Sequence, residues 1–224
     1  MSRLPDPTVA WKSPDTPDKP LVVLLHGRGS RETDILALAD YLPTGYSCVA
    51  VRAPLTEGAG FAWFANRGIG RPVAESLAET TAWFEDWLET VAPAPRPVIL
   101  VGFSGGAAFA GGLILKDPER FAGAAILHGT LPFDAGVPTT PGRLQSIPMF
   151  VAHGDADSVI PAELLKSTWS YLTEESGAQT TAVRSAAGHR IGRDDVTALT
   201  HWITEVGNSP TDRAEPSNAH KDFV

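Results

Sequence analysis

Serine, aspartate and histidine can together turn an alcohol into a nucleophile, and this chain carries candidates for each where the local pattern ends a strand. The serine is Ser104, within Gly102, Phe103, Ser104, Gly105 and Gly106. This GxSxG pentapeptide lies between the apolar run VILVGF (98 to 103) and a small-residue run (105 to 116). The pentapeptide alone is weak evidence, and its setting strengthens it: a buried strand followed at once by a helix demands a tight turn. Glycines two residues before and after the serine let strand and helix approach while the serine takes a strained backbone position, hydroxyl outward. His189, after the strand-like TTAVRS (180 to 185), is placed to be the base that removes the hydroxyl proton. A carboxylate must hold that imidazole, and HGDADSVIP offers Asp155 and Asp157, which spacing alone does not rank. The developing oxyanion needs backbone donors. The amide of Gly105 supplies one, and the loop after LVVLLH supplies the other, through the amide of Arg28.

The elements that must position these groups alternate. LVVLLH (21 to 26), SCVAV (47 to 51), VILVGF, AAILHG (124 to 129), MFVAHG (149 to 154) and TTAVRS read as strands, mostly continuous apolar runs of the kind buried on both faces. Helical patterns are expected near 31 to 42, 71 to 91, 105 to 116, 162 to 175 and 193 to 206. The alternation predicts an α/β fold with a mostly parallel, doubly wound sheet and helices on both faces, and ligands bind such sheets at the carboxyl ends of the strands. Residues 1 to 20, with five prolines, read as an irregular lead-in in which Thr8 to Trp11 has an edge-strand pattern. Residues 21 to 206 form the expected domain, and 207 to 224 read as a flexible tail.

Composition narrows the function classes. A hydrophobic share of 43% in 224 residues can fill one core. A net charge of −8, with no basic cluster, argues against nucleic acid or an anionic membrane as the main partner. No apolar run approaches the ~20 residues that span a bilayer, and the first residues lack a signal-peptide core, so a cytoplasmic location is expected. The one cysteine, Cys48, cannot form an internal disulfide and reads as a small buried hydrophobe. No His, Cys, Asp and Glu cluster has metal-ligand spacing, and the glycines near Ser104 do not fit GxxxxGK[ST], so neither metal nor cofactor is expected.

Four blocks, LLHGRGS, GFSGG, HGDADSVIP and AAGHRI, together resemble the phospholipase/carboxylesterase family of small serine hydrolases, kin to acyl-protein thioesterases and bacterial carboxylesterases. The resemblance spans 21 to 206. It implies an α/β-hydrolase fold without a large lid, and an acyl-enzyme on Ser104 with His189 as base. It selects Asp157 over Asp155 as the orienting acid. Arg28 stands where the family often has an apolar residue, and Gly105 where many members have glutamine. Both keep a backbone amide, so the departures touch substrate preference rather than mechanism. Small soluble carboxylic esters are the implied substrates, with thioesters a second class. Lysophospholipase, protein-deacylating and lactonase activities are alternatives on the same site, and a non-catalytic ligand-binding scaffold is the alternative of a different kind. The resemblance also allows a homodimer.

Other histidines read as structural: His26 bracing its turn, His153 ending its strand, His128 as a satisfied buried ring, His201 on a helix and His220 in the tail. Asp155 is expected to cap its loop through local hydrogen bonds. The segment FAWFANRG (61 to 68) interrupts the strand–helix rhythm, so Trp63 and Phe64 are expected to wall a substrate pocket, joined by Phe103, Leu131 and Val159.

Overall fold

Strands rich in Val, Ile, Leu and Ala with no polar alternation must be covered on both faces, and that requirement organises the molecule. The structure, a computed structural model, describes residues 4–208; the expected tail from 209 onward lies outside them. In chain order the elements are β1 (Val9–Trp11), β2 (Leu21–Leu25), α1 (Glu32–Leu36), β3 (Ser47–Val51), β4 (Leu55–Glu57), β5 (Gly60–Ala62), β6 (Asn66–Gly68), β7 (Arg71–Pro72) and α2 (Ala74–Val91). They continue with β8 (Val98–Phe103), α3 (Gly105–Lys116), β9 (Gly123–Leu127), β10 (Pro148–Gly154), α4 (Ala162–Ser170), β11 (Gln179–Ser185) and α5 (Arg193–Asn208).

Seven strands form one sheet in the order β1-β3-β2-β8-β9-β10-β11. All neighbours are parallel except β1, which pairs antiparallel with β3 at the edge. Successive residues of each strand enter opposite cores. Leu21, Val23 and Leu25 pack with Phe84, Phe109 and Leu113 from α2 and α3, whereas Val22 and Leu24 pack with Ile35, Leu199 and Trp202 from α1 and α5. Strand order reverses between β2 and β8, the crevice where doubly wound sheets bind ligands.

Four helical segments differ from expectation. The helix expected over 31 to 42 is α1 followed by a 3-10 turn, Ala37–Tyr41, and ends at Leu42, which Pro43 holds extended (φ −78°, ψ 153°). The segment before Ala74 is instead two small antiparallel ribbons, β4–β5 and β6–β7, in a stretch where glycines at 58, 60, 68 and 70 favour turns. The helix expected over 162 to 175 is α4 up to Ser170 and then a wider turn over Tyr171–Glu175. At the other end α5 runs through residues 207 and 208, which were expected in the tail.

Candidate active site

Ser104 stands at the sharp junction of β8 and α3 with φ 54° and ψ −114°, a left-handed conformation uncommon for a residue with a side chain. The flanking glycines explain how the junction is tolerated: a Cβ on Gly102 would overlap the Gly106 carbonyl, and one on Gly106 would overlap the carbonyls of Leu25 and His26. The nearly all-buried helix GGAAFAGG therefore settles directly onto β2 and β8. Hydrogen bonds from the Ser104 amide to Leu127 O (2.9 Å) and from the Ala107 amide to Ser104 O (3.0 Å) fix the turn.

His189, from the loop between β11 and α5, reaches across this edge of the sheet. Its Nε2 lies 2.9 Å from Ser104 Oγ and its Nδ1 lies 2.8 Å from Asp157 Oδ2. Asp157 Oδ1 accepts hydrogen bonds from the amides of Val159 (2.8 Å) and Ile160 (3.1 Å). Burial of the Asp157 carboxyl would raise its pKa, but the His189 ring and the two amides outweigh that, and the group is held below the usual carboxylate range. An ionised carboxylate only accepts, so Nδ1 donates to it and Nε2 is left to accept the serine proton. Asp155 does not join this array. It is exposed and bound by Arg184 of β11 (Nε to Oδ1, 2.8 Å), a partner on the neighbouring strand rather than the local cap expected.

The backbone of Arg28 lies against Gly105. The Arg28 nitrogen lies 3.2 Å from where a Cβ on Gly105 would sit. Neither the Arg28 nor the Gly105 amide has an intramolecular acceptor among the described residues. The loop holding Arg28 is laced to the β4–β5 ribbon: the Gly29 amide donates to Phe61 O (2.8 Å) and the Phe61 amide to Ser30 O (3.0 Å). Contact there is so close that a Cβ on Gly60 would overlap the Gly29 carbonyl. His26 braces the loop from beneath, its Nδ1 donating to Gly27 O (2.7 Å) and its Nε2 accepting from the Ala53 amide (3.1 Å). The Arg28 side chain turns to Glu57, Nε to Oε1 at 2.9 Å, so its charge is already met.

A cleft of about 730 Å³ opens above Ser104. Trp63, Phe64, Phe103 and Val159 line it, as do Ile35, Ile69, Ile160 and Ile191, which sequence reasoning missed. Ile160 and Ile191 follow Asp157 and His189 closely along the chain, and that adjacency was the signal available. Trp63 is also a core residue, stacked on Phe109 (4.5 Å, 15°) with its Nε1 donating to His26 O (2.8 Å). Leu131 is a correction. It is fully buried and does not line the cleft, because its side chain packs against Gly111 of α3 and its amide is held by Thr168 Oγ1 (3.0 Å).

The remaining candidates lie apart from the cleft. Burial pushes the Cys48 thiol up to about 12, which leaves it protonated and inert. His153 is buried beside Trp169, and His201 is exposed on α5. His128 is buried against Asp195; His220 lies outside the described residues. Among the described residues no group of three metal-ligating side chains converges, and no helix is long and apolar enough to cross a membrane.

A mostly parallel sheet in this strand order, with a strained serine at the turn after a central strand, defines an α/β-hydrolase. The chain belongs to the Phospholipase/Carboxylesterase family, whose pattern matches residues 7–206. It is 25% identical over 190 residues to MhqD of Bacillus subtilis (strain 168), assigned as a hydrolase, with 83% of this chain and 93% of that protein covered. The crystal structure of a carboxylesterase from Mesorhizobium loti is similar with a TM-score of 0.73 at 27% identity, covering 83% of this chain and 88% of that one. A Bacillus cereus carboxylesterase shares the fold with a TM-score of 0.78 at 22% identity, covering 89% and 94%.

Proposed function

We propose that this hydrolase cleaves small soluble carboxylic esters through an acyl-enzyme on Ser104. The observation that carries the reading is the continuous hydrogen-bonded run from Ser104 Oγ through His189 to Asp157, set beside two unengaged amides. As Ser104 Oγ attacks the ester carbonyl, His189 Nε2 takes its proton and Asp157 stabilises the imidazolium. The amides of Arg28 and Gly105 receive the oxyanion, each such donor being worth about 10²–10³ in rate. Collapse expels the alcohol, which takes its proton from His189. A water then enters, loses a proton to the same nitrogen and frees the carboxylic acid and the serine.

The cleft supports an acyl or alcohol group of modest size, walled by Trp63, Phe64, Phe103 and Val159. The decisive assay is hydrolysis of short-chain p-nitrophenyl esters by wild type and Ser104→Ala. Loss should approach about 10⁶-fold, with fluorophosphonate labelling of Ser104 in the wild type alone. Comparable turnover by both proteins would refute the reading. Profiling with thioesters, lysophospholipids and lactones then ranks the activities open to one nucleophile.

A further inference from the structure

The base of this site belongs to no regular element. Residues 186–192, which carry His189, are neither strand nor helix, so the ring's position depends on what ties this loop at each end. On the strand side the Ala156 amide donates to Ala187 O (3.1 Å). Gly154 lets the carbonyls of Ala187 and Gly188 rest on the end of β10 where any side chain would collide. On the helix side the Gly192 amide donates to Asp195 Oδ2 (2.7 Å), and that same oxygen accepts from His128 Nε2 (3.0 Å).

His128 and Asp195 are 0% and 1% exposed. His128 stands just beyond β9 in a left-handed conformation, φ 46°, its amide bound to Ala152 O (2.8 Å). A second route joins it to the site: the Phe103 ring lies 6.2 Å from the His128 ring and 5.2 Å from that of His189. As packing alone the pair is a poor solution, since His128 Nδ1 and Asp195 Oδ1 are buried without partners among the described residues, and an apolar pair would avoid that penalty. What an apolar pair could not do is hold the Gly192 amide and so set where the loop leaves the sheet.

We propose that Asp195 and His128 are positioning residues that hold the His189 loop at proton-transfer distance from Ser104. The inference rests on the reading of Ser104, His189 and Asp157 given above. Loosening the loop should impair the chemical step more than substrate binding, because beyond His189 it gives the cleft only Arg190 and Ile191, whereas Trp63, Phe64, Phe103, Val159 and Ile160 come from other segments.

The test counts functional serines by stoichiometric fluorophosphonate titration and expresses kcat per titrated site, which removes any effect of a smaller folded fraction. Asp195→Ala should lower kcat about 10- to 100-fold, the effect of displacing a catalytic group by about an ångström, with KM within about threefold of wild type. Asp195→Asn keeps an oxygen that both donors can reach and should recover to within about threefold. His128→Asn, which suits left-handed backbone but cannot reach Asp195, should resemble Asp195→Ala and stands in for it if that variant does not fold. In a His189→Ala background, where the probe no longer counts sites and rates are taken per folded protein from circular dichroism, Asp195→Ala should cause no further loss. The inference is overturned if kcat per site stays within about twofold of wild type in both disrupting variants, or in the one that folds. It also falls if the Asp195→Ala loss persists undiminished without His189. Retained activity in Ser104→Ala would instead sink the underlying hydrolase reading, so the two failures are distinguishable.

Discussion

His153, buried one residue before the end of β10, should make the protein acid-sensitive by a calculable amount. Burial pulls its imidazole down to about 4. His128 and Arg184 push the same way, while a backbone hydrogen bond at Gly129 and the charge of Asp157 oppose them. In the unfolded chain the same group titrates near 6.5. Below that pH the unfolded chain takes up a proton that the folded protein refuses. Stability therefore falls as pH drops from about 6.5 towards 4 and levels off once both states are charged. At about 1.4 kcal/mol per unit, the gap amounts to roughly 3 kcal/mol in full and between about 2 and 3 kcal/mol at pH ~4.5. Urea unfolding of wild type and His153→Gln, followed by tryptophan fluorescence at pH ~7.5 and ~4.5, measures it. The variant should lose roughly 1 kcal/mol at the higher pH, through lost contact with Trp169, yet decline less on acidification by about 2–3 kcal/mol. Parallel declines, within about 0.5 kcal/mol, would refute the reasoning.

Asp157→Asn should lower kcat about 10⁴-fold by leaving the imidazole without its anionic partner. Because the folded Asp157 carboxyl titrates below its unfolded value, wild type has stability above pH ~4 that disappears as pH falls through the lowered value; acid titration of the variant should lack that component. Arg52, itself part-exposed, grips the buried Glu32 through two hydrogen bonds (2.5 and 2.6 Å), so Arg52→Met should cost about 1–3 kcal/mol in chemical denaturation, with part recovered by adding Glu32→Gln. Leu131→Ala should cost about 2–5 kcal/mol while leaving acyl-length preference unchanged, whereas Phe64→Ala should shift that preference towards longer chains in a p-nitrophenyl ester series.

The central strands were legible because β2, β3, β8, β9 and β10 are apolar without alternation, a pattern only two-sided burial accounts for. The β4 to β7 ribbons were not, since strands of two or three residues are too short to display a period and depend on pairing with each other and with the Gly29 loop. Ser104, Asp157 and His189 stood out because each follows a strand end closely and carries its own local punctuation. The cleft walls were harder. Leu131 and Val159 both follow strands of the same sheet, and only the path of the chain turns one against Gly111 and the other to the cleft. Asp195 gave no signal, as paired acids in a first helical turn are ordinary partners of the helix dipole.

The sheet order also has a consequence during synthesis. The elbow that presents Ser104 is encoded in β8 and α3, yet its imidazole arrives only after β11 at the far edge has been added. On the mechanism proposed above, a growing chain carries the hydroxyl before its base, and one interrupted ahead of β11 should be unreactive. Ester hydrolysis by ribosome-bound chains should therefore appear only once the residues through His189 have emerged.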